Sequence, residues 1–380
     1  MNICYVCKKS FVPKTELSEG NISLEHIIPN SLGGSLKSKE LLCKSCNSMF
    51  GETCDAHLSK QFSHIASLLM IERDRGEIQP IKGGKNEDGD YTIHSGYKPA
   101  IAHPIFNKKE IEPGKTKIEI TARDLTEMKK ILSGLARKNP GFNAEEAMKR
   151  VQISKEYLAK PIQLNFGIGD SQAFKAITKI AANYYVHTQN ECEQISKVIE
   201  YLKTDVDAEI TFHYNPNEKL YPLEDNEVCH LLHLVGDNIN KILYCYIDLF
   251  SSFSFLVLLS DNYTGQSFSN TYAYDILKRK EVSKPIFLNF SKKQIHSILS
   301  KNEILNDNES VTNKLNRLAT IIHKLHNDVV IGKLSQIAAD KTLKRHPEGT
   351  PISKEMLNEY LAEVAESYAS FLLRESKIKK

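Results

Sequence analysis

Apolar side chains recur at helical spacing through Leu58, Phe62, Ile65, Leu68, Leu69 and Ile71, and predict an amphipathic helix over 55–75. The periodicity then lapses. Residues 76–96 hold Gly83-Gly84-Lys85 and Asn86-Glu87-Asp88-Gly89-Asp90, the composition of a linker or hairpin loop. Beyond residue 100, short β-rich runs alternate with helical ones. Strands are predicted over 117–120, 162–166, 210–214, 228–235, 242–249, 253–259 and 286–290. Helices are predicted over 124–137, entered through Thr121, over 143–160, opened by the capping-box-like Asn143-Ala144-Glu145-Glu146, and over 170–185, capped by Asp170. Ser291 caps a further helix to 299, and 311–326 and 353–378 complete a helical C-terminal third. The most apolar run, 242–259, is interrupted by Asp248 and falls short of a membrane span, so it reads as two buried strands. The fold class is α+β: a small N-terminal module over 1–75, a linker over 76–98, and a large α+β domain over 99–380 with a helical C-terminal part.

At 380 residues, with 41% hydrophobic and 26% charged positions, the chain can bury sizeable cores. A formal charge of +3 neither argues for nucleic acid nor excludes it. The opening MNICYVCKKS has no basic segment followed by an apolar one, so a cytoplasmic protein without a membrane anchor is expected. Eight cysteines in that compartment stay reduced, and their spacing carries the information.

Four of them fall as Cys4-x-x-Cys7 and Cys43-x-x-Cys46. Each pair can place two thiolates on one tight turn. Two such turns close a tetrahedral sulfur shell that suits Zn²⁺ and leaves no position open to water, the pattern of a structural site. A module this small has a thin core, so ligation would supply much of its stability. Taken alone, it would be a zinc-ribbon-like binding module, the non-catalytic alternative. Cys54, Cys192, Cys229 and Cys245 have no partner at useful spacing and read as small apolar residues.

Between the knuckles stands Ser23-Leu24-Glu25-His26-Ile27-Ile28-Pro29-Asn30-Ser31-Leu32-Gly33-Gly34, and the second knuckle continues Cys43-Lys44-Ser45-Cys46-Asn47-Ser48-Met49-Phe50-Gly51. From Cys4 to about Asp55 the chain resembles the HNH endonucleases, specifically the zinc-bearing branch with paired knuckles, a Glu-His pair and an Asn after the last Cys. The resemblance implies a zinc-stapled ββα-metal module that hydrolyses phosphodiester bonds of DNA. It also implies that Glu25 and Asn47 hold a divalent ion while His26 faces the attacking water. Chemistry supports the assignment. A neutral imidazole can take a proton from water near pH 7, and carboxylate and amide oxygens favour Mg²⁺ or Mn²⁺ over a second Zn²⁺.

Competing readings are bland ones. Asn47 could instead cap the helix after the knuckle. Gly33-Gly34 reads as the turn between two strands. Asp55 reads as a helix cap and His57 as solvated. The middle Asn of the HNH triplet has no clear counterpart in Lys37-Ser38-Lys39-Glu40-Leu41-Leu42, and Asn30 could take over its loop-bracing part. The charge over residues 1–60 is only +1, so phosphate affinity would come partly from the metal and partly from elsewhere. RNA is the alternative substrate.

The remaining residues carry no assignable motif. His213, His230 and His233 read as half-buried residues of strands, Tyr184, Tyr185, Tyr244 and Tyr246 as core, and the basic runs 341–346 and 377–380 as solvated faces. The large domain would bind substrate, form a homo-oligomer, or sense an activating protein or ligand, as an effector in restriction or phage defence would.

Overall fold

The computed structural model describes residues 2–11, 24–74, 76–113, 115–154, 158, 160–165, 167–189, 191–204, 209–216, 218–301 and 308–378. In chain order these form strands β1 (Asn2–Ile3), β2 (Ser10–Phe11), β3 (Glu25–His26) and β4 (Lys37–Ser38), then helices α1 (Lys44–Glu52), α2 (Cys54–Gln61) and α3 (Ser63–Leu68). Strands β5 (Ile81–Asn86), β6 (Gly89–His94), β7 (Lys98–Ile101), β8 (Ile105–Glu112) and β9 (Lys115–Thr121) precede α4 (Leu125–Lys138), α5 (Ala144–Lys149), α6 (Ser171–Gln189) and α7 (Ser196–Lys203). A second run of strands follows: β10 (Thr211–His213), β11 (Cys229–Asp237), β12 (Ile242–Leu249), β13 (Phe253–Ser260), β14 (Phe268–Asp275) and β15 (Lys280–Glu281). The chain closes with α8 (Lys292–Lys301), α9 (Asn308–Leu343) and α10 (Lys354–Ile378). The class is α+β with a helical C-terminal part, as its patterning predicts. Among the described residues no helix is long and apolar enough to cross a membrane.

The described residues of 1–78 and 166–324 make one compact unit, and those of 79–165 and 325–380 another. The first is built on an antiparallel sheet of order β10-β13-β12-β11-β14-β15. Strands β11 and β12 are buried almost throughout, including Leu231, Leu234, Tyr244 and Tyr246, which explains why their sequence runs apolar instead of alternating. Helix α6 packs against this sheet and is buried continuously from Ala176 to Val186, including the polar Thr178, Lys179 and Asn183. His230, on β11, is fully buried and accepts the Phe250 amide at Nδ1 (3.3 Å) while Nε2 meets the Leu32 carbonyl (2.8 Å), a pattern that requires the neutral Nε2–H tautomer. This bond fastens the N-terminal hairpin region to the sheet, as does Phe62, whose ring packs 5.4 and 5.0 Å from those of Phe250 and Phe253. The second unit contains the sheet β5-β6-β7, the hairpin β8-β9, helices α4, α5 and α10, and the part of α9 beyond Lys324.

Several elements differ from expectation, each for a local reason. Of the two readings of 76–96, linker or hairpin loop, the hairpin is found, with β5 and β6 as its strands and a turn at Asn86, whose side chain accepts the Asp88 and Gly89 amides. The helix expected over 55–75 breaks at Phe62 and ends at Leu68, because Phe62 turns into the aromatic cluster. Asp124, not Thr121, caps α4, accepting from the Glu127 amide at 2.8 Å. Helix α5 stops at Lys149, and residues 155–157 and 159 of the expected helix lie outside the described residues. Among the described residues of 162–166 there is a single bridge, Gln163 to Lys85, and no strand. Residues 286–290 bond to the Tyr244 hydroxyl, which donates to the Leu288 carbonyl and accepts the Phe290 amide, so they pair with a side chain where a strand neighbour would be. The basic run at 341–346 is not simply solvated, since Lys341 and Arg345 pair with Glu363 and His346 with Glu359. Residues 379–380 of the other basic run lie outside the described residues.

Candidate active site

The two cysteine knuckles fold as tight turns. The Cys4 amide donates to the Lys9 carbonyl and the Lys8 amide to the Cys4 carbonyl, with Lys8 in the left-handed region at φ 60°. Cys43 occupies the N-cap position of α1, which leaves Cys46 in the first turn. A backbone bond from Tyr5 to Leu41 (3.2 Å) ties the knuckles together. All four Sγ atoms of Cys4, Cys7, Cys43 and Cys46 lie within 4.8 Å of one another, and Cys7 and Cys43 are 3.7 Å apart. That spacing is close to the ~3.8 Å edge of a tetrahedron with Zn–S near 2.3 Å. The donor set fits a closed zinc shell. Cys54 lies outside this group, fully buried, and burial pushes its thiol up to about 12.

Strands β3 and β4 pair Glu25 with Ser38 and His26 with Lys37, and the chain between them turns through Gly33 and Gly34. Gly33 sits at φ 89°, and a Cβ on Gly34 would lie 1.9 Å from the Ile28 carbonyl oxygen, so this turn admits no side chain there. The hairpin and the helices after it border an open cavity of about 210 Å³ lined by Glu25, His26, Asn30, Asn47, Asp55 and Ser59 among others. The three residues singled out for catalysis thus share one wall system. Asn47 lies inside α1, with its amide bonded to the Cys43 carbonyl, so it does not act as the helix cap.

His26 Nε2 meets Asp74 Oδ2 at 3.2 Å, and Lys37 Nζ reaches the same oxygen at 2.6 Å. The Lys37 ammonium holds the Asp74 carboxyl below its ordinary range, so it only accepts, and Nε2 must carry the proton. Nδ1 is then the basic nitrogen. Burial lowers the imidazole pKa although Asp74 works against it, which keeps the ring neutral near pH 7. Asn30 Oδ1 accepts the Asp74 amide at 2.8 Å, a loop-bracing bond of the kind expected of it.

Glu25 is 2% exposed. Its Oε1 lies 2.5 Å from Lys179 Nζ and accepts from Asn183 Nδ2 at 2.8 Å. The same ammonium is 2.5 Å from Asp55 Oδ2. Desolvation opposes the Lys179 charge, but Asp55 and Glu25 outweigh it and raise its pKa. Burial holds the Glu25 carboxyl above the ordinary range in spite of the ammonium. Asp55 Oδ1 is buried without a hydrogen-bond partner among the described residues. An orphaned carboxylate oxygen beside Glu25 and Asn47 gives an all-oxygen donor set, which fits Mg²⁺ or Mn²⁺ and not a second zinc.

Two expectations need correcting. Asp55 caps nothing: the N-cap position of α2 is Thr53, and Asp55 serves the Lys179 bridge. His57 is not merely solvated, since its Nε2 lies 2.5 Å from Asp170 Oδ2. Sequence reasoning missed Lys179, Asn183 and Asp74. A signal for the first two did exist: a lysine and an asparagine four residues apart among the apolar Ala176, Ile177, Ile180, Ala181 and Ala182.

A family model described as HNH endonuclease matches residues 4–63. The match takes in both knuckles, the β3–β4 hairpin, α1 and α2. No curated protein and no solved structure matches the chain.

Proposed function

We propose that this protein is a metal-dependent HNH endonuclease that hydrolyses DNA, with zinc as a structural staple at Cys4, Cys7, Cys43 and Cys46. The observation that carries the reading is the meeting of Glu25, His26 and Asn47 in one small cavity inside the segment matched to the family. Glu25 and Asn47 are the residues to hold Mg²⁺ or Mn²⁺, which when bound polarises the scissile phosphate and neutralises charge developing on it. His26 Nδ1 takes the proton of the attacking water, and Asp74, holding Nε2–H, fixes the tautomer and stabilises the imidazolium that forms. Asn30 keeps Asp74 in reach of the ring. Residues outside the matched segment would recognise the substrate, pair two copies or sense an activating partner, an arrangement suited to a restriction or phage-defence effector.

Supercoiled plasmid and a labelled RNA, each offered to the zinc-loaded protein with and without Mg²⁺ or Mn²⁺, test the reading. Metal-dependent nicking of plasmid, with RNA spared, is expected. Cleavage of RNA alone would move the substrate class, and cleavage of neither would leave a non-catalytic zinc module.

A further inference from the structure

Helix α6 begins more than one hundred residues beyond the end of the matched segment, yet two of its side chains meet the catalytic cavity's carboxylates. Lys179 is 1% exposed and Asn183 0%, one helical turn apart on the same face. A buried ammonium and a buried amide are costly unless satisfied. Here both are spent on the same cluster: Lys179 bridges Glu25 Oε1 and Asp55 Oδ2, and Asn183 donates to Glu25 Oε1. Tyr5, inside the first cysteine knuckle, donates its hydroxyl to Asn183 Oδ1 at 2.7 Å and so fixes which end of the amide faces Glu25.

The distribution of these bonds is asymmetric. One oxygen of each carboxylate takes the helix's donors, while the other receives none of them, and Asp55 Oδ1 is left buried and unpaired among the described residues. A purely structural ion cluster gains nothing from an orphaned oxygen, since a buried unsatisfied acceptor costs stability. A cluster built to leave oxygens for a cation does.

We infer that Lys179 and Asn183 are positioning residues of the nuclease site: they clamp Glu25 and Asp55 so that each keeps one oxygen for the divalent ion, and Asp55 joins Glu25 and Asn47 as a donor. Two carboxylates this close repel each other, and the shared ammonium holds them together without occupying their second oxygens. Tyr5 and Asn183 link the cysteine cluster to Glu25, so the sulfur-held turn and the cation cavity share one hydrogen-bonded chain. This inference rests on the function proposed above.

The test measures Mn²⁺ affinity of the full-length, zinc-loaded protein by electron paramagnetic resonance of free Mn²⁺, beside zinc content and plasmid nicking. Native protein should bind one Mn²⁺ that E25Q weakens severely. D55N and K179M should weaken it by about tenfold or more, and N183A and Y5F by about threefold, with zinc content unchanged, as expected of groups that orient metal ligands. K179R, keeping the charge, should recover part of the K179M loss. Should K179M not fold, N183A and Y5F, which leave the ion pairs in place, carry the test. Native affinity in D55N and N183A, or tighter binding in K179M or K179R, would overturn the inference, the latter by making the ammonium a competitor of the cation. Native protein that binds no Mn²⁺ sensitive to E25Q would instead overturn the proposed function itself.

Discussion

The segment 4–63 and the six-stranded sheet belong to the same compact unit but are held together by different means. The sheet's central strands run eight or nine residues and bury nearly every side chain. The strands among the segment's described residues, β2, β3 and β4, are two residues each, too short to hold a fold by ladder bonds. It relies on four convergent thiols, the Lys179 bridge, and anchors such as His230 to Leu32 and Phe62 in the aromatic cluster. The sheet is stabilised by what it removes from water, whereas the matched segment adds specific polar bonds and convergent thiols to a small apolar core that includes Ile27, Leu32, Phe50 and Leu58.

Removing zinc should separate the two regions most sharply. Structural zinc ligation is worth roughly 10–16 kcal/mol. Chelation, or Cys43→Ser, should therefore abolish amide protection in α1 and the β3–β4 hairpin while β11 to β13 keep theirs, as hydrogen exchange would read. Simultaneous loss in both regions would show that the sheet depends on the metal. Leu256→Ala should do the reverse, costing about 2–5 kcal/mol of global stability with zinc content unchanged.

Acid attacks the seam between the regions. Burial lowers His230 to about 4, against an unfolded value near 6.5. Between these values the unfolded chain binds more protons, so stability that is complete above pH 6.5 is lost as pH falls towards 4, by about 3 kcal/mol at most for this residue. His230→Gln should flatten the slope without removing it, because His233 is also held at about 4 by burial. An unchanged slope in urea unfolding between pH 4 and 7 would remove His230 from the seam. The smallest effect is expected at Asp74, which is half exposed. Asp74→Asn should lower turnover about tenfold, or ~1.4 kcal/mol, with zinc and Mn²⁺ binding retained. Wild-type turnover in that variant would leave His26 without an orienting partner.

The same contrast governs what could be read from the sequence. The β11–β13 core is legible because its signal is local: continuous apolar runs bounded by turns. The paired cysteines are legible because their spacing is itself that of metal ligands, whereas Glu25, His26 and Asn47 are singled out through the resemblance of the motif around them, and the fold brings them to one cavity. Lys179 and Asn183 fall in a helix predicted correctly, but nothing local shows that they face Glu25, more than 150 residues earlier. Asp55, read as a cap, and His57, read as solvated, have partners that the sequence does not show, Lys179 and Asp170, for the same reason: ion pairs across long sequence separation leave no periodicity. Strand β14 alternates partly buried and exposed residues weakly, and β5 is interrupted by Gly83 and Gly84, so neither stands out from a loop.

The most direct measurement is nicking of supercoiled plasmid by native protein and by His26→Ala, both zinc-loaded, with Mg²⁺ or Mn²⁺ supplied. Loss of the imidazole should slow metal-dependent nicking by about 10²–10⁴-fold while zinc content and sheet stability stay at native values. Nicking that persists at the native rate in the variant, or is absent from the native protein, would contradict a hydrolytic site at this cavity.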